Sequence, residues 1–315
     1  MRMCCLFGLY DYKGTLSRKE KNQIITALSM AAEDRGTDAT GIAYNASGRL
    51  CVFKRPLPAH LMWFRIPPKS NVIMGHTRMT TQGNEIHNQN NHPFSGCAGE
   101  TAFALAHNGV LWNDKILRKS WELPETNVET DSYIAVQLLE LAGDISFDSL
   151  RQTAEELEGS FTITVLTDRD ELYFMKGDNP LCLYHYEKLG IYLYASTEGI
   201  LKKAIKKLPF KLGRATKVTT YSGQLLRINP DGTLDRSFFN DDKLYETSSH
   251  SWSSWQGISS FWNPSSTSET EEDYISNLKC VAGCYGYTGE DIDALLADGY
   301  TTDEIEDALY EDGYF

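Results

Sequence analysis

The sequence contains no apolar stretch approaching the roughly 20 residues that a membrane-spanning helix requires. Its first residues also lack the apolar run of a secretory signal peptide. The 7 cysteines include no Cys-x-x-Cys pair, and Cys280-x-x-x-Cys284 has no second half with which to complete a zinc site. These absences argue against membrane and disulfide-stapled secreted proteins, and they predict a protein of the reduced cytoplasm.

The sequence also lacks a basic stripe for nucleic acid and a Gly-rich phosphate loop of the Walker type. Its net charge of −13 is unevenly spread, because residues 241–315 hold 17 Asp and Glu against 2 Lys. The preceding residues hold 26 acids against 28 Lys and Arg and are nearly neutral. We therefore expect no nucleic-acid or membrane partner, and we interpret the acidic region as an appended segment.

Composition and periodicity divide the 315 residues into three regions. We predict a main domain over 4–240, a Ser-, Trp- and acid-rich linker over 241–273, and an acidic helical module over 274–315. In the module, Gly286-Tyr-Thr-Gly-Glu-Asp-Ile292 recurs 13 residues later as Gly299-Tyr-Thr-Thr-Asp-Glu-Ile305. Each copy has the Thr and acid spacing of a helix capping box. A simple appendage and a partner-docking element both remain open for this module.

The main domain alternates short strands with a few helices, which predicts an α+β fold. The predicted strands are Leu6–Tyr10, Gly41–Tyr44, Cys51–Lys54, Val72–Gly75, Phe103–His107, Phe161–Thr167, Leu172–Lys176, Ile191–Ser196 and Val218–Arg227. The predicted helices are Arg18–Asp34, Asp131–Ala142, Phe147–Leu157 and Thr197–Lys207. Short turns such as Asn229-Pro-Asp-Gly232 separate the strands and favour antiparallel hairpins.

Four polar clusters interrupt the apolar pattern. They are Arg35-Gly-Thr-Asp-Ala-Thr-Gly41, Gly75-His-Thr-Arg-Met-Thr-Thr-Gln-Gly83 followed by Asn91-His-Pro-Phe94, Ala106-His-Asn-Gly109, and Glu129-Thr-Asp131. Each cluster alone is weak evidence for a functional site. A histidine that ends a strand is usually structural, and Asp131 could serve only as a helix cap. The histidines at 76, 87, 92 and 107 lack the close spacing of zinc ligands, so we expect no metal.

The amino terminus supplies a further feature, the run Met3-Cys4-Cys5-Leu6-Phe7-Gly8. A cysteine at a free amino terminus can be a complete catalytic unit, because its thiol attacks while its own α-amine accepts the proton. The alternative is that Cys4 and Cys5 are inert, buried residues at the start of a strand.

Together these motifs resemble the class II glutamine amidotransferase domain, an N-terminal-nucleophile hydrolase. The shared pattern is Cys-x-Leu-x-Gly, Arg-Gly-x-Asp-x-x-Gly, Gly-His-Thr-Arg, Asn-x-His-Pro, His-Asn-Gly and Thr-Asp, in this order. Its form is closest to the glutaminase domain of glucosamine-phosphate synthase. The resemblance implies a four-layer αββα sandwich, here with a small helical C-terminal appendage, and it implies no cofactor.

The resemblance also implies residue roles. Cys4 would be the nucleophile, with the side-chain nitrogen of Asn108 and the backbone N–H of Gly109 forming the oxyanion hole. Arg78 would bind the α-carboxylate of L-glutamine and Asp131 its α-ammonium. The remaining expected substrate-binding residues are Thr81 and Arg35, which would order the pocket, and His92, which would join the loop Gln82–Ile86 in a lid.

Charge matching supports this interpretation, because free glutamine carries one anion and one cation on the same carbon. The motifs provide Arg78 and Asp131 to match them. The sequence departs from glucosamine-phosphate synthases at Met79 and Gln82, which replace Trp and His, and at Cys5, which replaces Gly. The loop departures bear on the coupling of glutamine binding to a synthase site more than on hydrolysis.

We therefore expect a glutaminase that releases ammonia through a Cys4 thioester. Since 241–315 is too short for a second catalytic domain, the expected recipient is a separate synthase or synthetase. A stand-alone γ-glutamyl amide hydrolase and an inactive binding module are the alternatives. We expect translation to begin at Met3, so that removal of Met3 frees the amine of Cys4; self-cleavage of a short propeptide is the other route.

Overall fold

The computed structural model describes residues 4–244 and 288–302, together with the single positions 275, 279 and 305. The described residues belong to two compact units, one amino-terminal and one carboxyl-terminal. Among them, no helix is both long and apolar enough to cross a membrane. The predicted linker 241–273 and most of the module 274–315 lie outside the described residues, so the three predicted boundaries stay predictions.

The structure gives the bounds of thirteen strands and five α-helices within residues 4–244. The strands are β1 (Cys5–Asp11), β2 (Ala39–Ala46), β3 (Arg49–Arg55), β4 (Val72–Arg78), β5 (Phe94–Ala98), β6 (Thr101–Leu111), β7 (Gly159–Thr167), β8 (Leu172–Lys176), β9 (Cys182–Tyr186), β10 (Ile191–Ala195), β11 (Thr216–Val218), β12 (Gln224–Ile228) and β13 (Leu234–Phe238). The helices are α1 (Arg18–Ala32), α2 (Asp114–Ser120), α3 (Tyr133–Ala142), α4 (Phe147–Glu156) and α5 (Glu198–Lys206), with 3₁₀ turns at Ala59–Leu61 and Asn88–Asn90.

The strands form two antiparallel sheets. One has seven strands in the order β11-β9-β10-β1-β4-β2-β3, and the other has six in the order β13-β12-β8-β7-β6-β5. In the first sheet β1 is central, because it pairs with β10 on one side and with β4 on the other. The amino-terminal strand is therefore held along both edges.

Three hydrophobic clusters separate four layers. Helices α1 and α5 pack on the seven-stranded sheet through residues such as Ile24 and Leu201. Helices α3 and α4 pack on the six-stranded sheet through Ile134 and Leu150, and the two sheets meet in a third cluster that includes Leu6. This is the expected four-layer αββα sandwich, which confirms the predicted fold class.

Local signals explain the helix ends. Ser17 caps α1 with a capping box to Glu20, and Thr197 caps α5 by accepting from the amide of Ile200. Helix α3 ends at Gly143, whose φ of +79° lies in the left-handed region that glycine tolerates best.

Several element predictions need correction. The predicted strand Val218–Arg227 is two strands in different sheets, because a turn with Gly223 at φ +76° lets the chain cross between the sheets. Helix α3 begins at Tyr133 rather than Asp131, since the Asp131 carboxylate instead accepts a hydrogen bond from the Leu111 amide. Strands β5, β9 and β13 and helix α2 were not predicted.

The carboxyl-terminal unit contains helix α6 (Gly289–Ala297). Its cap is Thr288, which forms a capping box with Asp291 at the start of the first repeat copy. The predicted cap of this copy is therefore present. Most of the second copy lies outside the described residues.

Candidate active site

Strand alternation separates the two neighbouring cysteines. Successive side chains of a strand point to opposite faces, and β1 places Cys5 with Phe7 in the helix-facing core. Leu6 instead lies in the core between the sheets. Cys4, one residue before Cys5, therefore shares the inter-sheet face of Leu6, whereas Cys5 is enclosed under the helices.

The same alternation brings other motif residues to this face. On β4, Met74 lies in the inter-sheet core, so His76 and Arg78 follow it on the same side. On β6, Ala104 and Ala106 line the opposite wall of that core, which places Asn108 on the inter-sheet side as well. Three motifs distant in sequence thus meet at one end of the sandwich.

The Cys4 thiol is enclosed by the β4 strand end. Its Sγ lies 3.5 Å from both the amide nitrogen and the carbonyl oxygen of Met79. Arg35 holds the backbone from the other side, since its Nε donates to the Cys4 carbonyl at 3.0 Å. Burial is the main reason that the pKa of Cys4 is raised to about 11, so the thiol is protonated at neutral pH.

Arg78 is buried and fixed by two acceptors. One guanidinium nitrogen donates to Asn91 Oδ1 at 2.7 Å and another to the Gln82 carbonyl at 2.6 Å. Burial lowers the pKa of Arg78, while the nearby Cys4 and acidic groups oppose that shift. The guanidinium remains a cation beside the thiol, which suits it to bind a carboxylate.

Asp131 supplies the anion of the site. It is buried, and its Oδ2 accepts from the Leu111 amide at 2.6 Å. Its charge acts on both Cys4 and Arg78, since it raises the pKa of the thiol and opposes the lowering of the guanidinium pKa. A cation and an anion therefore lie close to the same sulfur atom.

Asn108 has unused hydrogen-bonding capacity. Its side chain is fully buried, yet neither Oδ1 nor Nδ2 has a hydrogen-bond partner among residues 4–244. Such a group is costly unless a ligand satisfies it. The next residue, Gly109, has φ +142°, and a Cβ there would lie 1.9 Å from the Ser160 carbonyl oxygen, so only glycine fits.

Three buried histidines lie beneath the site. His76 Nε2 donates to the His107 carbonyl at 2.9 Å and so connects the two sheets. The His92 ring packs on that of His76 with centroids 4.2 Å apart, and His107 Nδ1 hydrogen-bonds Ser132 at 2.8 Å. Burial lowers the pKa of all three, to about 3 for His76, so they are neutral at neutral pH. Within the described residues, no cluster of His, Cys, Asp and Glu has the make-up of a metal site.

The placement of His92 differs from the lid expectation. Its ring is buried, whereas the residues of segment 82–86 are half-buried or exposed. Thr81 is exposed in the turn that follows β4, directly after Thr80, whose amide donates to Asp38 Oδ2 at 2.7 Å. The substrate-binding roles of Thr81 and His92 stay predictions.

Hydrogen bonds from asparagine side chains hold the segment after β4 in place. Asn90 Nδ2 donates to the Asn84 carbonyl at 2.9 Å and to Glu129 Oε2 at 2.7 Å. Asn91 Nδ2 donates to the Glu85 carbonyl at 2.7 Å. These bonds connect the loop to both Arg78 and the connection that carries Asp131.

The first motif packs directly against the second. A Cβ on Gly36 would lie 2.5 Å from the Arg78 carbonyl carbon, so the chain passes here with no room for a side chain. The Asp38 amide donates to the Arg78 carbonyl at 3.0 Å, and Ala39 pairs with Arg78 in the β2–β4 register. The spacing Arg-Gly-x-Asp thus places Arg35 at the nucleophile.

Sequence reasoning gave no role to Lys54, Asn90, Asn91 or Glu129. Lys54 lies on an inward position of β3, and a lysine on the inward face of a predicted strand is the signal that could have identified it. The asparagine contacts join residues about 6 to 39 positions apart, so no local pattern reveals them.

The chain is similar in sequence to known proteins over part of its length. No family model matches the sequence. The glutamine–fructose-6-phosphate aminotransferase of Halobacterium salinarum is 32% identical over 187 residues, covering 56% of this chain and 30% of that protein. The same enzyme of Campylobacter jejuni is 30% identical over 182 residues, covering 54% and 29%. The chain thus matches less than a third of the length of these relatives.

Solved structures show the same fold. Glutamine phosphoribosylpyrophosphate amidotransferase from B. subtilis superposes with a TM-score of 0.60 at 21% identity, covering 75% of this chain and 49% of the other. A second structure, an allosteric regulatory enzyme of purine biosynthesis, gives 0.60 at 20% identity with the same coverage.

The two-sheet sandwich is therefore the fold of these amidotransferase structures. In sequence, the chain is similar over about half of its length to part of the glutamine–fructose-6-phosphate aminotransferases above.

Proposed function

We propose that this protein hydrolyses the side-chain amide of L-glutamine through a thioester on Cys4. The observation that carries the proposal is the meeting of four groups at one end of the sandwich. These are the Cys4 thiol, the cation of Arg78, the anion of Asp131 and the unpartnered amide of Asn108. They match the groups that a glutaminase needs.

In the first half-reaction the Cys4 sulfur attacks the amide carbon of glutamine, and the thiol proton moves to the α-amine of Cys4. Asn108 Nδ2 and the Gly109 N–H stabilise the oxyanion. The amine then protonates the departing nitrogen, the C–N bond breaks, and ammonia leaves a γ-glutamyl thioester. Water, activated by the same amine, hydrolyses the thioester to glutamate and restores the thiol.

This mechanism requires a free α-amine on Cys4. A thiol whose pKa is near 11 is a poor nucleophile at pH 7 unless a base lies beside it. With Met3 attached, the nitrogen of Cys4 is a peptide amide and cannot accept a proton. We therefore propose that the active form begins at Cys4.

Substrate selectivity follows from the paired charges. Arg78 is held in place by Asn91 and Gln82, so its guanidinium is oriented before the substrate carboxylate arrives. Asp131 is positioned by the Leu111 amide to receive the α-ammonium. An amide that lacks either charge on its α-carbon would leave one of these buried ions unpaired.

We further propose that the ammonia passes to a separate acceptor enzyme in the reduced cytoplasm. The segment 241–315, with 17 acids against 2 lysines, is the proposed docking element. The five cysteines in the described part of the chain are free thiols, as a reducing compartment requires.

The activity test compares a protein that begins at Cys4 with the same protein carrying Cys4→Ala. Ammonia and glutamate are measured with L-glutamine as substrate, and a protein retaining Met1–Met3 is the processing control. We expect turnover only from the first protein. Turnover by the Cys4→Ala protein would overturn the proposed nucleophile, and turnover by the unprocessed protein would overturn the proposed base.

The same assay separates the alternatives. Release of ammonia only from larger γ-glutamyl amides would indicate a γ-glutamyl amide hydrolase. A complete lack of activity with native folding would indicate a binding module.

Docking is tested by affinity capture and size-exclusion chromatography with the full chain and with a form ending at Asn240. We expect the full chain to retain an ammonia-using enzyme and the shorter form to lose it. Equal retention by both would refute the docking role of 241–315.

A further inference from the structure

We propose that Lys54 is a positioning residue for the carboxylate-binding end of the glutamine site, acting on Arg78 through Asn91. The inference rests on the proposed function, because it concerns the affinity of that same site. Lys54 belongs to none of the sequence motifs and is not part of the proposed chemical steps.

The β3 register places Lys54 on the inward face of the edge strand. It pairs with Gly41, and a Cβ on Gly41 would lie 2.2 Å from the His92 carbonyl oxygen and 2.8 Å from the Cβ of Lys54. The segment Asn91–Phe94 therefore passes directly beside this lysine.

A continuous set of contacts leads from Lys54 to the site. Lys54 Nζ donates to the Asn91 carbonyl, and its own carbonyl accepts from Asn88 Nδ2 at 3.1 Å. The Asn91 side chain in turn accepts from Arg78 at 2.7 Å. Fixing the Asn91 backbone thus fixes the acceptor that orients the guanidinium.

Two neighbours act on the ammonium in opposite directions. It lies 4.9 Å from the centroid of the buried Phe94 ring, whose face attracts a cation, whereas Arg78 repels it. Burial, with a smaller contribution from Arg78, lowers the pKa of Lys54 to about 8. The titratable groups in its field are Arg78, His76 and His92, and the two histidines are neutral at neutral pH. A second cation near Arg78 raises the positive potential that an incoming carboxylate meets.

Steady-state kinetics with L-glutamine test the assignment at pH 7. In Lys54→Met we expect KM to rise about tenfold, equivalent to about 1.4 kcal/mol, with kcat within twofold of the parent. Lys54→Arg keeps a donor and a permanent charge, so we expect it to recover most of the affinity. A general folding defect would lower kcat as well and would not be rescued by arginine.

The parent protein also provides a pH signature. We expect its KM to rise as pH increases through about 8, where Lys54 loses its proton, and this component to be missing in Lys54→Arg. The substrate ammonium and the Cys4 amine titrate equally in both proteins, so the difference between the two profiles isolates Lys54.

Arg49→Met is the matched control, because it removes an exposed cation from the other end of the same strand. We expect its KM to equal that of the parent. An unchanged KM in Lys54→Met, or an equal increase in both variants, would overturn the positioning role. A parent protein without glutamine turnover would instead refute the proposed function, and calorimetric binding of L-glutamine to Cys4→Ala and to Cys4→Ala/Lys54→Met would then test Lys54 alone.

Discussion

At the scale of single residues, the site contains a side chain, Asn108, whose burial lowers folding stability. The amide of Asn108 is buried with no partner among residues 4–244. A buried donor or acceptor left unpaired costs about 1–3 kcal/mol. Polar groups of this kind persist where a ligand or a transition state completes them.

Replacing Asn108 by leucine, which has a similar shape, tests whether this amide lowers stability while it contributes to turnover. We expect Asn108→Leu to raise the free energy of unfolding by about 1 kcal/mol, because it removes an unsatisfied polar group. Loss of an oxyanion donor should lower kcat for glutamine by about 10² to 10³. Thermal melts and steady-state kinetics measure the two effects, and a less stable variant would contradict the argument.

The protonation state of Cys4 is a second residue-scale prediction. Burial raises the thiol pKa to about 11, so its reactive thiolate fraction increases with pH up to that value. In the chain that retains Met1–Met3, we expect alkylation of Cys4 by iodoacetamide to be slow at pH 7 and to accelerate about tenfold per pH unit. Peptide mass spectrometry follows the reaction, with the exposed Cys97 as internal reference; fast modification of Cys4 at pH 7 would contradict this state.

At the scale of elements, the loop after β4 is held by side chains rather than by strand pairing. Asn90 and Glu129 form its central contact, and the Glu129 carboxylate also accepts from the Asn84 amide at 3.2 Å. These two contacts lower the pKa of Glu129. The loop therefore depends on a small number of replaceable bonds.

We expect Glu129→Ala to release this loop locally. Hydrogen exchange at the Asn84 amide should accelerate, because that amide loses its acceptor, while strand amides of β4 should keep their protection. Glu125→Ala, an exposed acid on the same connection, serves as the control and should leave both unchanged. Unaltered exchange at Asn84 in Glu129→Ala would show that the backbone alone maintains the loop.

Strands were predicted correctly where the hydrophobic periodicity and the residue composition both indicate a strand. Strands such as β1 and β8 are fully buried and mostly apolar, and they were predicted within one or two residues. β5 contains Ser95 and Gly96, and β13 contains Asp235 and Arg236, so neither has the composition of an isolated strand. These two lie at the edges of the six-stranded sheet, where pairing with one neighbour outweighs intrinsic preference.

At the scale of the whole molecule, the buried histidines His76, His92 and His107 make the free energy of unfolding depend on pH. Their folded pKa values are lowered by burial, to about 3 for His76. Below pH 6.5 the unfolded chain binds protons that the folded chain does not, so stability falls as pH falls. For His76 alone the loss between pH 7 and pH 5 amounts to ~2 kcal/mol.

Urea unfolding of the parent and of His76→Gln over this pH range measures the effect. We expect the variant to be less stable at pH 7 but to show a shallower decline towards pH 5. Parallel curves for the parent and His76→Gln would refute the linkage.

The site illustrates which information a single sequence contains. The motifs identified Cys4, Arg78, Asn108 and Asp131, and their strand positions imply a common face once the sheet order is known. The sequence could not supply that order, because it depends on pairings such as β1 with β10. The contact of Lys54 with Asn91 was also not predicted, because the two residues belong to different segments of the chain.

The central position of β1 has a consequence for synthesis of the protein. Strand β1 leaves the ribosome well before β10, with which it pairs, and the Leu6 amide bonds Ser196, 190 positions away. At about 5–20 residues per second, this partner appears roughly 10–40 s later. During that time an apolar strand that bears the nucleophile has one open edge, so the nascent chain presents a target for chaperones and for aggregation.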